Sequence, residues 1–265
     1  MKVDARWRGL GWRHPIWDML RFYSVVRGQG KNIAKAWREK LELSNLFEVD
    51  STNSFPVSAG DVRLFCDYLD GQAADLQTAN DVLRTEAEAV AFAKRVQAKV
   101  KIVATQSLDH HQSSAAMVAA VSFLAEKVCK AKGVTCDVAP QRRCVWLVSD
   151  RLHVTARNID GAAPALLFPK VIWETKEYWG KTKGGSKMSD AVYECHLVGR
   201  ELREFEELTD AHVAHIVFVD GKTQWGHRKS DLRRFIDLFH QGIIDYLLIG
   251  KEVETEWEPL LTSLV

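Results

Sequence analysis

A strand-like apolar run meets a basic, glycine-rich loop in FPKVIWETKEYWGKTKGGSKMSD, residues 168 to 190. Residues 171–173 predict a buried strand, yet Glu174 and Lys176 follow them in the same run. Residues two positions apart in a strand lie on the same face. Because a buried unpaired charge costs roughly several kcal/mol, these two residues require a partner, a metal ion or a catalytic role.

The pattern on both sides of this run predicts an α/β (α+β) fold. From about residue 112 helical and strand-like segments alternate, which indicates a mixed β-sheet with helices packed on it. The predicted helices are 113–132, 187–205 and 229–240, and the predicted strands are 144–148, 152–156, 166–176, 212–219 and 243–249.

The residues before this region predict helices instead. A helix begins near Pro15, which suits a first helical turn, and another contains Ile33, Trp37 and Leu41 at helical spacing. Residues 79–98 are rich in Ala, Glu, Arg and Lys and predict a long exposed helix. We therefore expect a helical N-terminal region over 1–111 and a sheet-containing core over 112–265.

The bulk composition excludes few functions. The chain has 265 residues, 46% of them hydrophobic, and a formal net charge of +1, so a nucleic-acid interaction must depend on local clusters of charge. The sequence shows neither a signal peptide nor an apolar run of about 18 residues. We expect a soluble, cytoplasmic protein that does not span a membrane.

Five cysteines without a CxxC pair argue against a disulfide framework. Cys129, Cys136, Cys144 and His153 form an alternative zinc site, but their spacing fits no structural zinc pattern well. Buried thiols without a metal are the simpler interpretation.

Asp160 follows the second predicted strand, and Glu174-Thr175-Lys176 lies near the end of the third. If these strands are neighbours, the two carboxylates and the lysine converge at one end of the sheet. Two close carboxylates stay ionised together only with a cation between them, and oxygen ligands near phosphates favour Mg²⁺. The lysine is then placed to orient, or help deprotonate, a water that attacks a phosphodiester.

In this element order, Asp160, the intervening hairpin and Glu174-x-Lys176 resemble the PD-(D/E)xK nucleases, the superfamily of many type II restriction endonucleases. The resemblance implies that Asp160 and Glu174 bind the metal, with the main-chain carbonyl of Thr175 as a further ligand, and that Lys176 assists the water. Some members carry another acid on the helix before the sheet, and Glu126 matches it. The chain departs from the motif at Ile159, where the family has proline.

A structural interpretation of the same residues is also open. Glu174 and Lys176 can form an exposed ion pair of little energetic value. Asp160 can be a turn residue, since Asp-Gly favours turns.

Two basic groups are candidates for contacts with DNA phosphates. Glycines allow close approach of the backbone to a phosphate, and lysines add salt-dependent affinity. A solvated loop and an ordinary basic helix start are the alternatives, although cations oppose the helix dipole there. The first group has Lys181, Lys183 and Lys187; the second has Lys222, Arg228, Lys229, Arg233 and Arg234 around Trp225.

The sequence therefore predicts a Mg²⁺-dependent endonuclease acting on double-stranded DNA, of the restriction type. We expect a homodimer in which the N-terminal region supplies recognition or dimer contacts. The alternative is a non-catalytic nucleic-acid-binding or assembly protein on the same fold. No P-loop, GxSxG, HExxH or GxGxxG motif supports another enzyme class.

Overall fold

The computed structural model describes residues 4–103, 113–180 and 185–265, which divide into two compact units. The first unit comprises Ala5–Asp75, and the second comprises Leu76–Val265 together with Asp4. The division falls earlier in the chain than the change of pattern near residue 112. The reason is that the helix over Glu86–Arg95 contributes Phe92 and Ala93 to the core of the second unit.

The first unit is mainly helical, as the sequence predicts. Trp17, Phe65 and Tyr68 lie in its buried core, where the ring centroids of Trp17 and Tyr68 are 5.5 Å apart. Ser58 caps the last helix by accepting a hydrogen bond from Asp61 N at 3.0 Å. The elements are α1 (Ala5–Arg8), α2 (Ile16–Gln29), α3 (Lys31–Ser44), β1 (Leu46–Glu48), β2 (Ser54–Pro56) and α4 (Ala59–Val82), whose final residues belong to the second unit.

The second unit contains the predicted mixed sheet, so the α/β fold class is confirmed. Its elements are α5 (Glu86–Arg95), β3 (Ile102–Val103), β4 (Ser113–Ser114), α6 (Ala116–Lys132), β5 (Asp137–Arg142), β6 (Val145–Val148), β7 (Arg151–Val154), β8 (Ile159–Ala163), β9 (Val171–Glu177), α7 (Ser186–Thr209), β10 (Ala214–Asp220), α8 (Lys222–His227), α9 (Lys229–His240), β11 (Tyr246–Ile249), a 3-10 turn (Gly250–Glu252) and α10 (Val253–Leu264).

Five strands form the main sheet in the order β11-β10-β9-β8-β5. Strands β9, β10 and β11 are parallel, whereas β8 is antiparallel to both β9 and β5. Every residue of β10 is buried, as is usual for a parallel strand covered on both faces. The hairpin of β6 and β7 is a separate two-stranded sheet.

The two faces of the sheet pack against different helices. On one face Trp173 and Phe218 contact Trp257 of α10, and the same apolar core includes α6. On the other face Ile172 packs with Val198 and Leu202 of α7. Because side chains alternate along a strand, Glu174 and Lys176 share the face of Ile172, which α7 covers.

Asp160 and Gly161 lie within β8, so the Asp-Gly pair is not a turn. Gly161 is paired with Trp173 across the two strands. A Cβ atom at Gly161 would lie 1.8 Å from the Trp173 ring. The glycine therefore makes room for the indole, and β8 forms despite a dipeptide that favours turns.

The prediction of one exposed helix over 79–98 is wrong. The helix is interrupted between α4, which ends at Val82, and α5, which begins at Glu86. Thr85 caps α5 in a capping box with Glu88. In the break, Arg84 is fully buried; its Nε donates to Asp220 Oδ2 at 2.7 Å and its Nη1 donates to Glu254 Oε1 at 3.1 Å. A charged residue thus occupies the interior, where it joins the end of β10 to α10.

Across the described residues, we find no helix with the length and apolar character needed to cross a bilayer.

The buried imidazole of His240, at the end of α9, gives a pH prediction. Burial lowers its pKa to about 4, below the unfolded value of about 6.5. The folded state therefore binds fewer protons than the unfolded state between these values, and stability falls as the pH drops from about 6.5 to 4, by at most about 3 kcal/mol. Urea unfolding at pH 7.5 and pH 5 should show a smaller pH difference for His240→Gln than for wild type. An equal difference in both proteins would contradict this assignment.

Candidate active site

Glu174 and Lys176 form a buried ion pair on β9. Their side chains extend toward α7, and Lys176 Nζ lies 2.7 Å from Glu174 Oε2. Glu174 is 3% exposed and Lys176 is 8% exposed. The interpretation as an exposed surface pair is therefore wrong, and the cost of burying both charges must be offset inside the protein.

The second oxygen of Glu174 has an unusual environment. Although it is buried, Oε1 accepts no hydrogen bond. Nε2 of His215, a fully buried residue on β10, is 3.4 Å away, and neither ring nitrogen of that histidine makes a hydrogen bond. Burial acts to raise the pKa of Glu174, but the Lys176 ammonium and His215 together outweigh it and the pKa is about 2. Glu174 is therefore an anion with one unsatisfied oxygen.

Asp160 lies on β8 beside this pair. The register that pairs Gly161 with Trp173 places Asp160 opposite Glu174 at the next position along the strands. Asp160 Oδ2 accepts a hydrogen bond from Thr175 N at 2.8 Å, and Oδ1 accepts one from Gln141 Nε2 at 2.9 Å. Burial, together with the nearby charge of Glu174, raises the pKa of Asp160 above its ordinary value. A cation between the two carboxylates would reverse that shift.

Lys176 also reaches a third acid, on α7. Its Nζ donates to Glu194 Oε2 at 3.1 Å, while Glu194 Oε1 lies 2.5 Å from Arg157 Nη2. Burial opposes the charged form of Lys176, yet the acidic groups around it, including Cys195, Glu174 and Asp160, hold its pKa well above the ordinary value. Lys176 is therefore a hydrogen-bond donor and a cation, which makes it a poor base for deprotonating water.

These groups line an open cleft of about 630 Å³, hereafter the cleft. Its acidic lining residues are Asp160, Glu174, Glu177 and Glu194, and its basic lining residues are Arg143, Arg157, Lys176 and Lys187. A cleft with cations around a small group of carboxylates suits an anionic substrate that is handled next to a metal ion.

The residues fit Mg²⁺ better than zinc. Within residues 4–103, 113–180 and 185–265 no group of three His, Cys, Asp or Glu side chains is placed to hold a metal ion, and this includes Cys129, Cys136, Cys144 and His153. Magnesium keeps several waters and often takes only one or two protein carboxylates. The unsatisfied Oε1 of Glu174, with Asp160 on the next strand, is consistent with that requirement.

Comparison with known proteins gives a family for most of the chain. The model of a family described as Domain of unknown function (DUF7687) matches residues 77–264. The chain belongs to the DUF7687 family. No curated protein matches the chain, and no solved structure matches it. The DUF7687 region begins one residue after the second compact unit begins at Leu76, so the family corresponds to the unit that contains the cleft.

Within the DUF7687 region, the structure does not bring Glu126 to the other predicted ligands. Glu126 is an exposed residue of α6, on the opposite face of the sheet from Glu174, and the described lining of the cleft does not include it. The helical acid that contacts the lysine is instead Glu194 of α7, at 3.1 Å. The resemblance implies Glu126 as a further metal ligand, whereas the helical acid that lines the cleft is on α7.

The two predicted basic groups have different placements. Lys187 lines the cleft, whereas Lys181 and Lys183 lie outside the described residues. Arg228, Lys229, Arg233 and Arg234 are absent from the described lining of the cleft. Lys222 lies at a separate small pocket of about 180 Å³ with Trp179 and Gly180.

The structure explains why cations occur at the start of α9. Asp231, in the first turn of that helix, is buried and bonded to the arginines on both sides of it. Arg228 Nε donates to Asp231 Oδ2 at 2.6 Å, and Arg234 Nη1 donates to Asp231 Oδ1 at 3.2 Å. Asp231 is the anion that offsets the unfavourable position of these arginines near the positive end of the helix dipole. Their position is therefore no evidence for a bound phosphate.

Sequence reasoning missed Arg143, Arg157 and Glu194 of the cleft, and also His215, which lies beside Glu174. Arg143 and Arg157 lie in irregular segments, and no local pattern marks them. His215 is a polar residue in the apolar run of β10, and a polar residue in such a run is the kind of signal that identified Glu174. Glu194 lies on a correctly predicted helix, but only the packing of α7 on β9 shows that it meets Lys176.

Proposed function

We propose that this protein is a Mg²⁺-dependent endonuclease that hydrolyses phosphodiester bonds of double-stranded DNA, in the manner of a type II restriction enzyme. The support is the convergence of Asp160, Glu174 and Lys176 on one cleft, from neighbouring strands of a mixed sheet flanked by helices. These residues and this architecture are the ones that the resemblance to the PD-(D/E)xK nucleases implies.

The observation that carries the proposal is the unsatisfied Oε1 of Glu174. A buried carboxylate oxygen without a hydrogen bond costs free energy, and this one belongs to a residue that lines the cleft together with Asp160. A divalent cation bound by both carboxylates would supply the missing partner.

Each residue then has a distinct part in the reaction. Asp160 and Glu174 would hold Mg²⁺, with the Thr175 carbonyl as the further ligand that the resemblance implies. Bound Mg²⁺ supplies Lewis-acid activation of the phosphodiester and its attacking water. Lys176 donates hydrogen bonds to the water or to a phosphate oxygen, because its raised pKa keeps it protonated. Hydrolysis would form one P–O bond to the water oxygen and break the P–O bond to the leaving oxygen; the water gives a proton to solvent and the leaving oxygen takes one up.

The partners and location proposed here follow from the same function. Double-stranded DNA would lie across the cleft, and a homodimer would bring two clefts to opposite strands. The helical unit over Ala5–Asp75 would provide recognition or dimer contacts, and the protein would work in the cytoplasm.

The direct test is cleavage of long, unmethylated DNA that offers many different sequences. Purified protein should cut it in buffer with MgCl₂ and leave it intact in EDTA. Isothermal titration should detect Mg²⁺ binding to the wild-type protein without DNA. Binding of duplex DNA without any cleavage, over many sequences and with Mg²⁺ or Mn²⁺ present, would favour the non-catalytic alternative.

Lys187 gives a separate prediction on DNA affinity. If Lys187 contacts phosphate in the cleft, Lys187→Ala should weaken binding almost equally for different DNA sequences. The slope of log affinity against log salt should fall by about one. Fluorescence anisotropy with two unrelated duplexes in EDTA measures both quantities. Lys229→Ala removes the same charge from an exposed position outside the described lining of the cleft and should leave the slope unchanged.

A further inference from the structure

The four cations that line the cleft differ in their partners. Lys176 is buried between Glu174 and Glu194. Arg143 and Lys187 make no ion pair with another described residue, and among the described carboxylates of the cleft Arg157 pairs with Glu194. Glu194 is therefore shared by a buried cation, Lys176, and an exposed one, Arg157.

The bond between Arg157 and Glu194 lies where solvent can reach it. The Arg157 side chain is 48% exposed and that of Glu194 is 26% exposed. The ion pair of Arg84 and Asp220 in the same unit is different, because both of its side chains are 0% exposed. A pair with this exposure contributes little to stability, so a competing anion can replace one partner at small cost.

The two oxygens of Glu194 serve two cations separately. Oε1 lies 2.5 Å from Arg157 Nη2, and Oε2 lies 3.1 Å from Lys176 Nζ. A phosphodiester also presents two non-bridging oxygens with a shared negative charge, and a guanidinium is well suited to such a group. The carboxylate of Glu194 thus lies between two cations, an arrangement that also suits a phosphate.

We propose that Arg157 is a phosphate-binding residue of the cleft and that Glu194 is its counter-ion in the ligand-free protein, displaced when DNA enters. The inference rests on the proposed function for the identity of the anion as the DNA backbone. Glu194 then lowers affinity for DNA, and its displacement makes both Arg157 and Lys176 available to the phosphate.

The test is binding of a fluorescent 30-base-pair duplex of mixed sequence, measured by anisotropy in EDTA so that no cleavage occurs. Glu194→Gln should tighten binding by about fivefold, because it removes one competing charge near the phosphate. Arg157→Gln should weaken binding by about fivefold and lower the salt slope by about one. In the Arg157→Gln background, Glu194→Gln should tighten binding less than it does in wild type, since only Lys176 remains to be released.

Two matched controls lie on the same helix. Glu204→Gln and Arg200→Gln remove the same charges as the two test variants. Glu204 and Arg200 form an exposed ion pair on α7, 3.1 Å apart, and both are absent from the described lining of the cleft. Glu194→Gln binding no tighter than Glu204→Gln, or Arg157→Gln binding no weaker than Arg200→Gln, would overturn the inference. Urea unfolding of each variant shows that the fold is intact, and Arg157, on an exposed segment, is the safer of the two positions.

The outcome separates this inference from the proposed function. A protein that shows these affinity changes but never cleaves DNA would keep the inference and overturn the nuclease proposal. A protein that cleaves DNA while Glu194→Gln equals its control would overturn the inference alone. Wild-type protein that binds no duplex would overturn both.

Discussion

Glu174→Ala should abolish Mg²⁺-dependent cleavage, with a loss of at least about 10³-fold in rate, because several kcal/mol of metal-assisted stabilisation are removed. Binding of DNA in EDTA should persist and can tighten, since a negative charge near the phosphate is lost. Asp160→Ala should behave in the same way. Lys176→Ala should also remove cleavage but should weaken binding, because it takes away a cation of the cleft.

The measurement is a cleavage time course beside an anisotropy titration in EDTA. Glu174→Gln keeps the shape of the side chain and an oxygen that accepts a hydrogen bond from Lys176, so it is the variant less prone to misfold. Glu126→Ala, which removes an exposed acid of α6 away from the cleft, should cut at the wild-type rate. Full cleavage by either Glu174 variant would place the active site elsewhere, and loss of cleavage in Glu126→Ala would restore that residue as a ligand.

Arg84→Met should destabilise the second unit by about 3–5 kcal/mol, because it leaves the buried carboxylate of Asp220 without its cation. The side chains of Arg84 and Asp220 are both fully buried, and Asp220 also accepts a hydrogen bond from Arg84 N at 2.8 Å. Burial already raises the pKa of Asp220 above its ordinary value, and the arginine opposes that shift. Without the arginine, the folded state must either bury an anion or take up a proton.

Urea unfolding followed by tryptophan fluorescence measures this loss. Arg200→Met provides the control, since its exposed pair with Glu204 should contribute at most about 1 kcal/mol. Arg84→Met combined with Asp220→Asn should be less destabilising than the sum of the two single changes. If Arg84→Met and Arg200→Met lose the same stability, the buried network has no special role.

The elements with strong local patterns were predictable from the sequence. The apolar run before Glu174 predicted β9, and the helix over Lys229–His240 was predicted with the bounds that the structure gives it. The charged pair at the end of β9 was informative because a buried charge needs an explanation. That single mismatch between an apolar strand and two charges located the cleft.

The strands that were not predicted from the sequence depend on contacts between residues that are distant in the chain. Strand β8 has small residues and an Asp-Gly pair, and only the indole of Trp173 over Gly161 explains why it is a strand. Strand β5 contains Pro140 between two residues with left-handed φ, Ala139 at 50° and Gln141 at 49°, so its pattern is irregular. The break at Arg84 was different, since Thr85 and Glu88 have the capping-box spacing and were a usable local signal.

The close approach of Gly161 and Trp173 has a consequence for the spacing of the carboxylates. Strand pairing places Asp160 opposite Glu174 only while β8 lies at normal distance from β9. Any larger residue at Gly161 would place its Cβ 1.8 Å from the indole, so the ring or the two strands would have to shift. The distance between Asp160 and Glu174 therefore depends on packing on the opposite face of the sheet. There Gly161 leaves room for the ring of Trp173, which is absent from the described lining of the cleft.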